Sequence, residues 1–429
     1  MSEREKLKVV WVCHFSNKDL NDRLPLKVRG MYAFVYKMFT GCNASTDVLD
    51  FGIWNINALN EMKRFADIIE LHIIAPYPHL APKIYEYQEN GIFYHFFRPS
   101  LVLLQHLINK FPRIYDIYRP AYKGNRKVIK SLINKINPSI VHLIGAENPY
   151  YSLSGLDVSP DIQLIVQLQT LMSDPKFFDN YPIDKRSYDY RAEIEKNVIM
   201  SADYVGTIIE SHRKIILEHI NPKTKFLDIK LAVGEEFKKI DVAKEYDFVY
   251  FARSINKAGD WAIESFIEAS KLKPGITLLV VGGYTQKEKT QYEMSLSNHG
   301  LLDNVTFTGA LPTHDDVMNA VAKARIALLP IKIDFIPGTI REANALGLPV
   351  VTSITDGTPL LNEKRKCALL SEGGDSQRMA ENMILVLENQ DLAEELVQNS
   401  YMRLEETYNN SRAISAWVEG YGMILKDVV

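Results

Sequence analysis

Cysteine is scarce in this sequence: Cys13, Cys42 and Cys367 are the three in 429 residues. A set this small and widely spaced cannot form the dense disulfide framework of a small secreted domain. No two of the three have the spacing of a zinc motif. We therefore expect a reduced, cytoplasmic chain without a cysteine-held metal.

Long apolar runs are also absent. No run approaches the ~18–20 residues of a membrane-spanning helix, and the opening MSEREKLKVVWV lacks the apolar stretch of a secretory signal. The charge is nearly balanced, with 50 Lys and Arg against 53 Asp and Glu. The balance gives no sign of nucleic-acid binding, and any membrane contact is expected to be peripheral.

In place of long apolar runs, the sequence has short ones rich in β-branched residues. In the first half they occupy residues 8–15, 69–76, 140–145, 162–169, 204–209 and 226–232. Runs that are apolar throughout are typical of strands covered on both faces. Helix-like patterns lie between them, as at 58–69 and 191–202. This alternation predicts a doubly wound, mainly parallel sheet.

A second series of such runs follows a charged linker at residues 234–246. The runs occupy residues 246–253, 276–283, 305–309, 325–330, 349–353 and 367–372. Two series predict an α/β protein with two Rossmann-like, doubly wound domains that face each other across a cleft. We place these domains at residues 1–236 and 237–410.

The stretch DFIPGTIREANALGLPVV, at 334–351, combines a loop, a helix start and two acids. Pro337-Gly338 predicts the loop, and the Gly-Leu-Pro triplet predicts the end of the helix. Thr339 and Glu342 have the spacing of a capping box, in which both only cap the helix. Alternatively, backbone N–H groups near Gly338 hold a phosphate, and Glu342 accepts hydrogen bonds from sugar hydroxyls. The two roles can coexist.

Four motifs, in this order, resemble the GT-B glycosyltransferases of the retaining family 4 type, the glycosyl transferases group 1. Members typically carry Glu-x7-Glu followed by AMAxGxPVV, and this sequence has Asp334-x7-Glu342 followed by ANALGLPVV. ARSINKAGDWAIESF stands where members have GRLxxxKG. VVGG at 280–283 and the segment 301–330 are similar to the family's strand, turn and FTG segments. The resemblance covers most of 200–400 and the first half more loosely.

The resemblance implies a donor site in the second domain. Arg253 and Lys257 are expected to bind the diphosphate, and Asp334 to contact hydroxyls of the transferred sugar. The other donor-side residues implied are Gly338 and Thr339 for the diphosphate, Glu342 for the ribose, and Gly282, Ala310 and Leu311 for the base. Two fixed cations can neutralise a diphosphate without a metal. No Asp-x-Asp occurs in the sequence, and we expect neither metal nor cofactor.

The resemblance also implies that residues 1–236 bind the acceptor and that a helix at 411–429 packs back on them. Many relatives have a histidine where this sequence has Gln169. The other acceptor-side candidates, placed after predicted strands, are His14, Asn17, His142 and Glu147. For each, the alternative is a structural role in a loop. We assign no general base, because in this family the leaving phosphate can take the acceptor's proton.

Residues 98–138 carry nine basic residues against one acid, Asp116, with aromatic residues interleaved. One interpretation is a solvated helical face whose aromatic residues anchor it in the core. The other is a surface that contacts an anionic bilayer, where a lipid-linked acceptor would lie.

The leading functional hypothesis is a cytoplasmic, retaining, metal-independent hexosyltransferase, peripheral on the inner face of the membrane. It would use a UDP- or GDP-linked sugar and a glycan or lipid-linked acceptor, in surface polysaccharide synthesis. A second hypothesis is a degenerate relative that binds without turnover. Asp334 in place of glutamate, the short Arg253-to-Lys257 spacing and Gln169 favour it. A third is a sugar-nucleotide epimerase on the same fold.

Overall fold

The computed structural model describes residues 6–40, 43–46, 51–100, 115–174, 185–233, 240–252, 258–282, 284–332, 336–355 and 357–428. The chain divides into two compact units, Met1–Val233 together with Asn410–Val429, and Gly234–Asn409. Each unit contains one β-sheet with a hydrophobic core on either face. The predicted fold class, an α/β protein with two Rossmann-like domains, is confirmed.

The sheet of the first unit has eight described strands, in the order β3-β4-β2-β1-β5-β6-β7-β8. The strands are β1 Leu7–Val12, β2 Ile69–Pro76, β3 Ile84–Glu89, β4 Ile92–Phe97, β5 Ile140–Ile144, β6 Gln163–Gln167, β7 Tyr204–Gly206 and β8 Lys225–Leu227. β3 pairs antiparallel with β4, and the other pairs are parallel. Because β2 and β5 flank β1, the winding switches direction between β1 and β5.

The helices of the first unit cover both faces of this sheet. Among the described residues that precede the second unit, they are α1 Lys18–Arg23, α2 Gly30–Thr40, α3 Ile53–Met62, α4 Tyr115–Ile136, α5 Pro149–Ser152, α6 Lys185–Ser201 and α7 Glu210–His219. On β1, Val9 and Trp11 point into one core, and Val10 and Val12 into the other. A central strand covered on both faces needs apolar residues at every position, which explains the unbroken apolar run.

The second unit has a six-stranded parallel sheet, in the order β11-β10-β9-β12-β13-β14. The strands are β9 Tyr246–Ala252, β10 Leu278–Gly282, β11 Val305–Gly309, β12 Ala324–Leu329, β13 Val350–Ser353 and β14 Ala368–Ser371. The helices are α8 Gly259–Leu272, α9 Gln286–Asn298, α10 His314–Val321, α11 Gly338–Ala345, α12 Ser376–Glu388 and α13 Gln390–Thr407. The winding of this sheet switches between β9 and β12.

The last helix, α14 (Asn410–Val428), belongs to the first unit. Its Trp417 and Tyr421 are buried in the core beneath β1. The indole Nε1 of Trp11 donates to the Tyr421 hydroxyl at 2.9 Å, and the Trp417 Nε1 donates to the Lys230 carbonyl at 2.6 Å. Buried N–H groups that are satisfied in this way hold the helix in one orientation.

The strands differ from prediction mainly in the first unit. The hairpin β3–β4 was not predicted, although Asn90 and Gly91 both have positive φ, as a tight hairpin turn requires. The strand predicted at 226–232 is reduced to β8, whose three residues end at Leu227. In the described part of the chain, no helix is both long enough and apolar enough to cross a bilayer.

Candidate functional site

In doubly wound sheets, ligands bind at the carboxyl ends of the strands where the winding switches. A ligand site of the second unit is therefore expected at this edge of its sheet. β9 ends at Ala252 and the adjacent β12 ends at Leu329. The predicted catalytic residues Arg253, Lys257 and Asp334 follow these strands in sequence but lie outside the described residues. The described part of this edge includes the starts of α10 and α11 and the turns after β10 and β11.

The capping box predicted for Thr339 and Glu342 is wrong. α11 begins at Gly338, its N-cap residue is Pro337, and no side chain caps it. Pro337 has extended backbone angles, φ −67° and ψ 155°, which suit an N-cap. Thr339 is therefore already the second residue of the helix, so its hydroxyl is not at the capping position. The first backbone N–H groups of α11 lack a side-chain cap.

The Glu342 carboxylate lies on the first turns of α11 and faces a second helix start. Its side chain is 19% exposed, and Oε1 is 3.9 Å from Nε2 of His314. His314 is the first residue of α10, which is capped by a reciprocal Thr313–Asp316 capping box. A Cβ added to Gly338 would lie 3.9 Å from the same Glu342 oxygen. One carboxylate, one imidazole and an uncapped helix start are thus adjacent.

The turns after β10 and β11 depend on glycine. Gly282 has a φ of +127°, and a Cβ there would lie 2.0 Å from the Ala252 carbonyl oxygen. Any side chain would therefore collide with the end of β9. Gly309 has a φ of +72°, and its N–H donates to the Tyr284 hydroxyl at 2.7 Å. Ala310, which follows it, is exposed.

In the first unit, His14 and Asn17 both lie just beyond β1. The His14 ring packs 4.8 Å from the Phe51 ring, and its Nδ1 is hydrogen-bonded to the Tyr150 hydroxyl. Burial lowers the pKa of His14 to about 4, so the ring is neutral at pH 7. The Asn17 side chain accepts the Leu20 N–H at 2.8 Å and caps α1. Asn17 therefore has a structural role.

The placement of His142 after a strand was wrong, because it lies inside β5 and is fully buried. Its Nδ1 is 2.7 Å from the Tyr421 hydroxyl, and its ring packs 4.8 Å from that of Trp417. Burial lowers the pKa of His142 to about 3. His142 is thus a neutral core residue that joins β5 to α14, out of reach of an acceptor.

Glu147 and Gln169, by contrast, meet at the carboxyl ends of β5 and β6. Because Trp54 Nε1 can only donate, the Gln169 amide is assigned with its oxygen toward Trp54 Nε1, at 3.0 Å, and its nitrogen toward Glu147 Oε1, at 3.1 Å. Asn148 also donates to Glu147 Oε1, at 2.7 Å. A Cβ on Gly145, whose φ is +95°, would lie 2.5 Å from the Tyr151 hydroxyl and 3.2 Å from the Gln169 amide. The glycine thus leaves room for both side chains.

The Glu147 carboxyl is an unusual group for a protein interior. The residue is 6% exposed, and its Oε2 has no hydrogen-bond partner among the described residues. Burial raises the pKa of Glu147. A buried polar atom without a partner is costly unless water or a ligand satisfies it. The cluster of Trp54, Glu147 and Gln169 is therefore a candidate site at the edge of the first sheet.

A second buried acid, Glu195 on α6, supports the loop after this cluster. Its carboxylate accepts the N–H groups of Met172 and Ser173 at 2.9 and 2.8 Å, and the Ser173 hydroxyl at 3.0 Å. Burial raises the pKa of Glu195 to about 7, and these hydrogen bonds oppose the rise. Sequence reasoning missed Glu195, because nothing in its local pattern distinguishes it from a surface acid of a helix.

The second unit matches a known protein family. Residues 233–403 match the profile of the family described as glycosyl transferases group 1. These residues belong to that family. The group 1 domain therefore contains the start of α11, Glu342, and the turns after β10 and β11, which together form the candidate site.

The individual relatives and solved structures are distant from this chain in sequence. An uncharacterized glycosyltransferase of Haemophilus influenzae is 22% identical over 229 residues, or 51% of this chain and 61% of the relative. The match thus spans less than two thirds of the relative's length. Sucrose-phosphate synthase from Thermosynechococcus elongatus has a TM-score of 0.70 at 16% identity, covering 98% of this chain and all of that one. HepE from Anabaena, solved in complex with UDP, has a TM-score of 0.62 at 14% identity, covering 97% and 100%. At these identities, the likeness shows the fold.

Outside the group 1 domain, the structure describes only part of the basic segment 98–138, since residues 101–114 fall outside the described ranges. Arg126 on α4 is paired with Asp157 through two bonds of 2.6 and 2.8 Å, which makes it structural. Lys123, Lys127 and Lys130 are exposed at helical spacing. No group of three or more metal-ligating side chains was found in the described ranges.

Proposed function

We propose that the protein is a glycosyltransferase whose group 1 domain binds a nucleotide-diphosphate sugar. The observation that carries this proposal is the start of α11. An uncapped helix N-terminus at Gly338 lies beside the half-buried Glu342, at the switch point of a sheet whose sequence belongs to this family. Free N–H groups at a helix start suit phosphate, and a nearby carboxylate suits sugar hydroxyls.

In the proposed complex, the diphosphate lies against the N–H groups of Gly338 and Thr339, because the Ile340 N–H already donates to the Pro337 carbonyl at 3.2 Å. Arg253 and Lys257, which follow β9, neutralise its charge as the bond to the sugar breaks. Glu342 accepts hydrogen bonds from the ribose hydroxyls, and Asp334 contacts the transferred sugar. We propose that these groups act without a metal ion.

The nucleotide is proposed to be a uridine or guanosine diphosphate. HepE, which shares the fold over nearly the whole chain, was solved with UDP. We extend this ligand to the present chain as a hypothesis, with UDP-linked hexoses as the first donors to test.

The proposed acceptor site is the cluster of Trp54, Glu147 and Gln169 in the first unit. An acceptor hydroxyl would satisfy the unpartnered Glu147 Oε2. Trp54 Nε1 can only donate, so it fixes the Gln169 oxygen toward itself and the amide hydrogens toward Glu147. Trp54→Phe keeps an aromatic ring but removes the indole N–H, which frees the amide. We expect it to slow transfer of labelled sugar to a panel of free monosaccharides while leaving UDP affinity unchanged.

We further propose a retaining reaction in which the leaving phosphate accepts the acceptor's proton. The proposed setting is surface polysaccharide synthesis at the inner face of the membrane. Lys123, Lys127 and Lys130 on α4 would contact anionic lipid there. Binding to vesicles of phosphatidylglycerol and phosphatidylcholine should then fall as salt rises. Equal binding to pure phosphatidylcholine would contradict the membrane contact.

The test of the donor site is Glu342→Gln. Because Glu342 does not cap α11, the melting temperature should stay unchanged. Glutamine keeps an acceptor oxygen but loses the charge, at a cost of about 1–2 kcal/mol. UDP affinity, measured by calorimetry, should therefore fall about tenfold. Unchanged affinity would leave Glu342 without a role in the donor site.

Turnover is tested in the same preparation by the release of UDP from UDP-glucose or UDP-N-acetylglucosamine. Wild-type turnover that is abolished by Arg253→Ala supports an enzyme. UDP binding with no turnover of any UDP- or GDP-linked donor would favour the degenerate binding protein instead.

A further inference from the structure

Tyr284 connects two loops of the candidate donor site. It lies two residues beyond the end of β10, and its ring packs edge-on against Phe307 of β11, with ring centroids 5.7 Å apart. Its hydroxyl accepts the Gly309 N–H at 2.7 Å. The side chain therefore ties the loop after β10 to the turn after β11.

The Gly309 N–H and carbonyl each make a hydrogen bond in this arrangement. Its N–H is bound by Tyr284, and its carbonyl accepts the Thr308 hydroxyl at 2.8 Å. The next two residues differ. The backbone groups of Ala310 and Leu311 make no hydrogen bond within the described part of the chain, and Ala310 is exposed. A ligand at this edge can thus use the backbone groups of 310 and 311, whereas the Gly309 N–H is already bound by Tyr284.

The Tyr284 hydroxyl can donate a hydrogen bond in addition to the one it accepts. A phenol can accept one hydrogen bond and donate its own hydrogen. With the Gly309 N–H as its donor, the hydroxyl hydrogen of Tyr284 finds no acceptor among the described residues. At a strand end beside exposed backbone, such a hydrogen is available to a carbonyl oxygen of a ligand.

We propose that Tyr284 positions the nucleobase of the donor and selects a base that presents a carbonyl oxygen. This inference rests on the proposed function, since it assumes a nucleotide at this edge. The tyrosine fixes the turn so that the Ala310 and Leu311 backbone faces the base, and its hydroxyl donates to the base. Uracil and guanine carry a carbonyl oxygen on the edge opposite the sugar. Adenine carries none and is expected to bind poorly.

The test is Tyr284→Phe, which keeps the packing against Phe307 and removes only the hydroxyl. The control is Tyr246→Phe, the same change at the amino end of β9, on the opposite edge of the sheet. Calorimetry is carried out with UDP, UMP, GDP and ADP on the full chain, with the melting temperature measured in parallel.

We expect Tyr284→Phe to weaken the binding of UDP and of UMP by the same factor, about 5- to 10-fold, because one hydrogen bond to the base is lost. ADP should bind weakly to the wild type, and Tyr284→Phe should leave its affinity unchanged. The control Tyr246→Phe should change the affinity for neither UDP nor UMP. Unchanged UDP affinity in Tyr284→Phe, or a loss for UDP but not UMP, would overturn this inference alone. Failure of the wild type to bind UDP or GDP would overturn the proposed function together with it.

Discussion

Replacing Gly338 by alanine should separate the structural from the binding role of the α11 start. Gly338 is the first residue of α11 and is not among the glycines with positive φ. A Cβ there would meet Arg341 Nη2 at 3.5 Å and Glu342 Oε1 at 3.9 Å, which are ordinary contacts. Alanine also lowers the entropy of the unfolded chain. The fold should therefore gain about 0.4–1 kcal/mol, or roughly 1–4 °C in melting temperature.

Nucleotide affinity should fall in Gly338→Ala, although the stability of the fold rises. The added methyl group would stand beside the N–H groups proposed to hold the diphosphate, and would keep the phosphate from approaching them. Loss of one charge-assisted hydrogen bond costs about 1.5–3 kcal/mol. The Kd for UDP, measured by calorimetry, should then rise about 10- to 100-fold. A variant with unchanged UDP affinity and an unchanged or raised melting temperature would refute the phosphate site at α11.

Gly30→Ala is the matched control for this experiment. Gly30 is also the first residue of a helix, α2, and a Cβ there would meet nothing within 4 Å. The change should give a similar small gain in stability and leave UDP affinity unchanged. An equal loss of UDP affinity in both variants would contradict a local effect at Gly338.

Three further predictions concern stability. Gly282→Ala places a Cβ 2.0 Å from the Ala252 carbonyl at a φ of +127°, so it should cost at least about 2 kcal/mol in chemical denaturation; a neutral result would contradict the tight turn. Tyr421→Phe leaves the buried Trp11 N–H without its acceptor, so unfolding should need about 1–3 kcal/mol less, with unchanged UDP affinity. Burial lowers the pKa of His72, and its hydrogen bond to Glu70 lowers the pKa of that carboxyl, so both contribute stability that is lost as pH falls. Melting temperature should drop from pH 7 to pH 4, and less steeply in His72→Phe; parallel curves would refute this assignment.

Much of the fold could be read from the sequence because both sheets are covered on both faces. Unbroken apolar runs such as that of β10 are typical of such central strands. The hairpin β3–β4 lies at the edge of its sheet, where half-exposed residues alternate, and its pattern was overlooked. The Asn90-Gly91 turn is the local signal that identifies it.

The candidate site was less predictable, since its contacts join residues far apart in the chain. Local spacing suggested a capping box with Thr339 as the N-cap, but the N-cap is Pro337, so the helix starts two residues earlier than predicted. The contacts of Gln169 with Trp54 and Glu147 depend on how α3 packs against the ends of β5 and β6. A sequence pattern within one segment cannot predict contacts between residues of three separate segments.

Hydrogen–deuterium exchange with and without UDP tests the central claim most directly. If the group 1 domain binds the nucleotide as proposed, UDP should slow exchange in peptides that span 308–314 and 336–345. Exchange across the hairpin β3–β4 should stay the same. Protection confined to Met1–Val233, or no protection at saturating UDP, would contradict the proposed donor site.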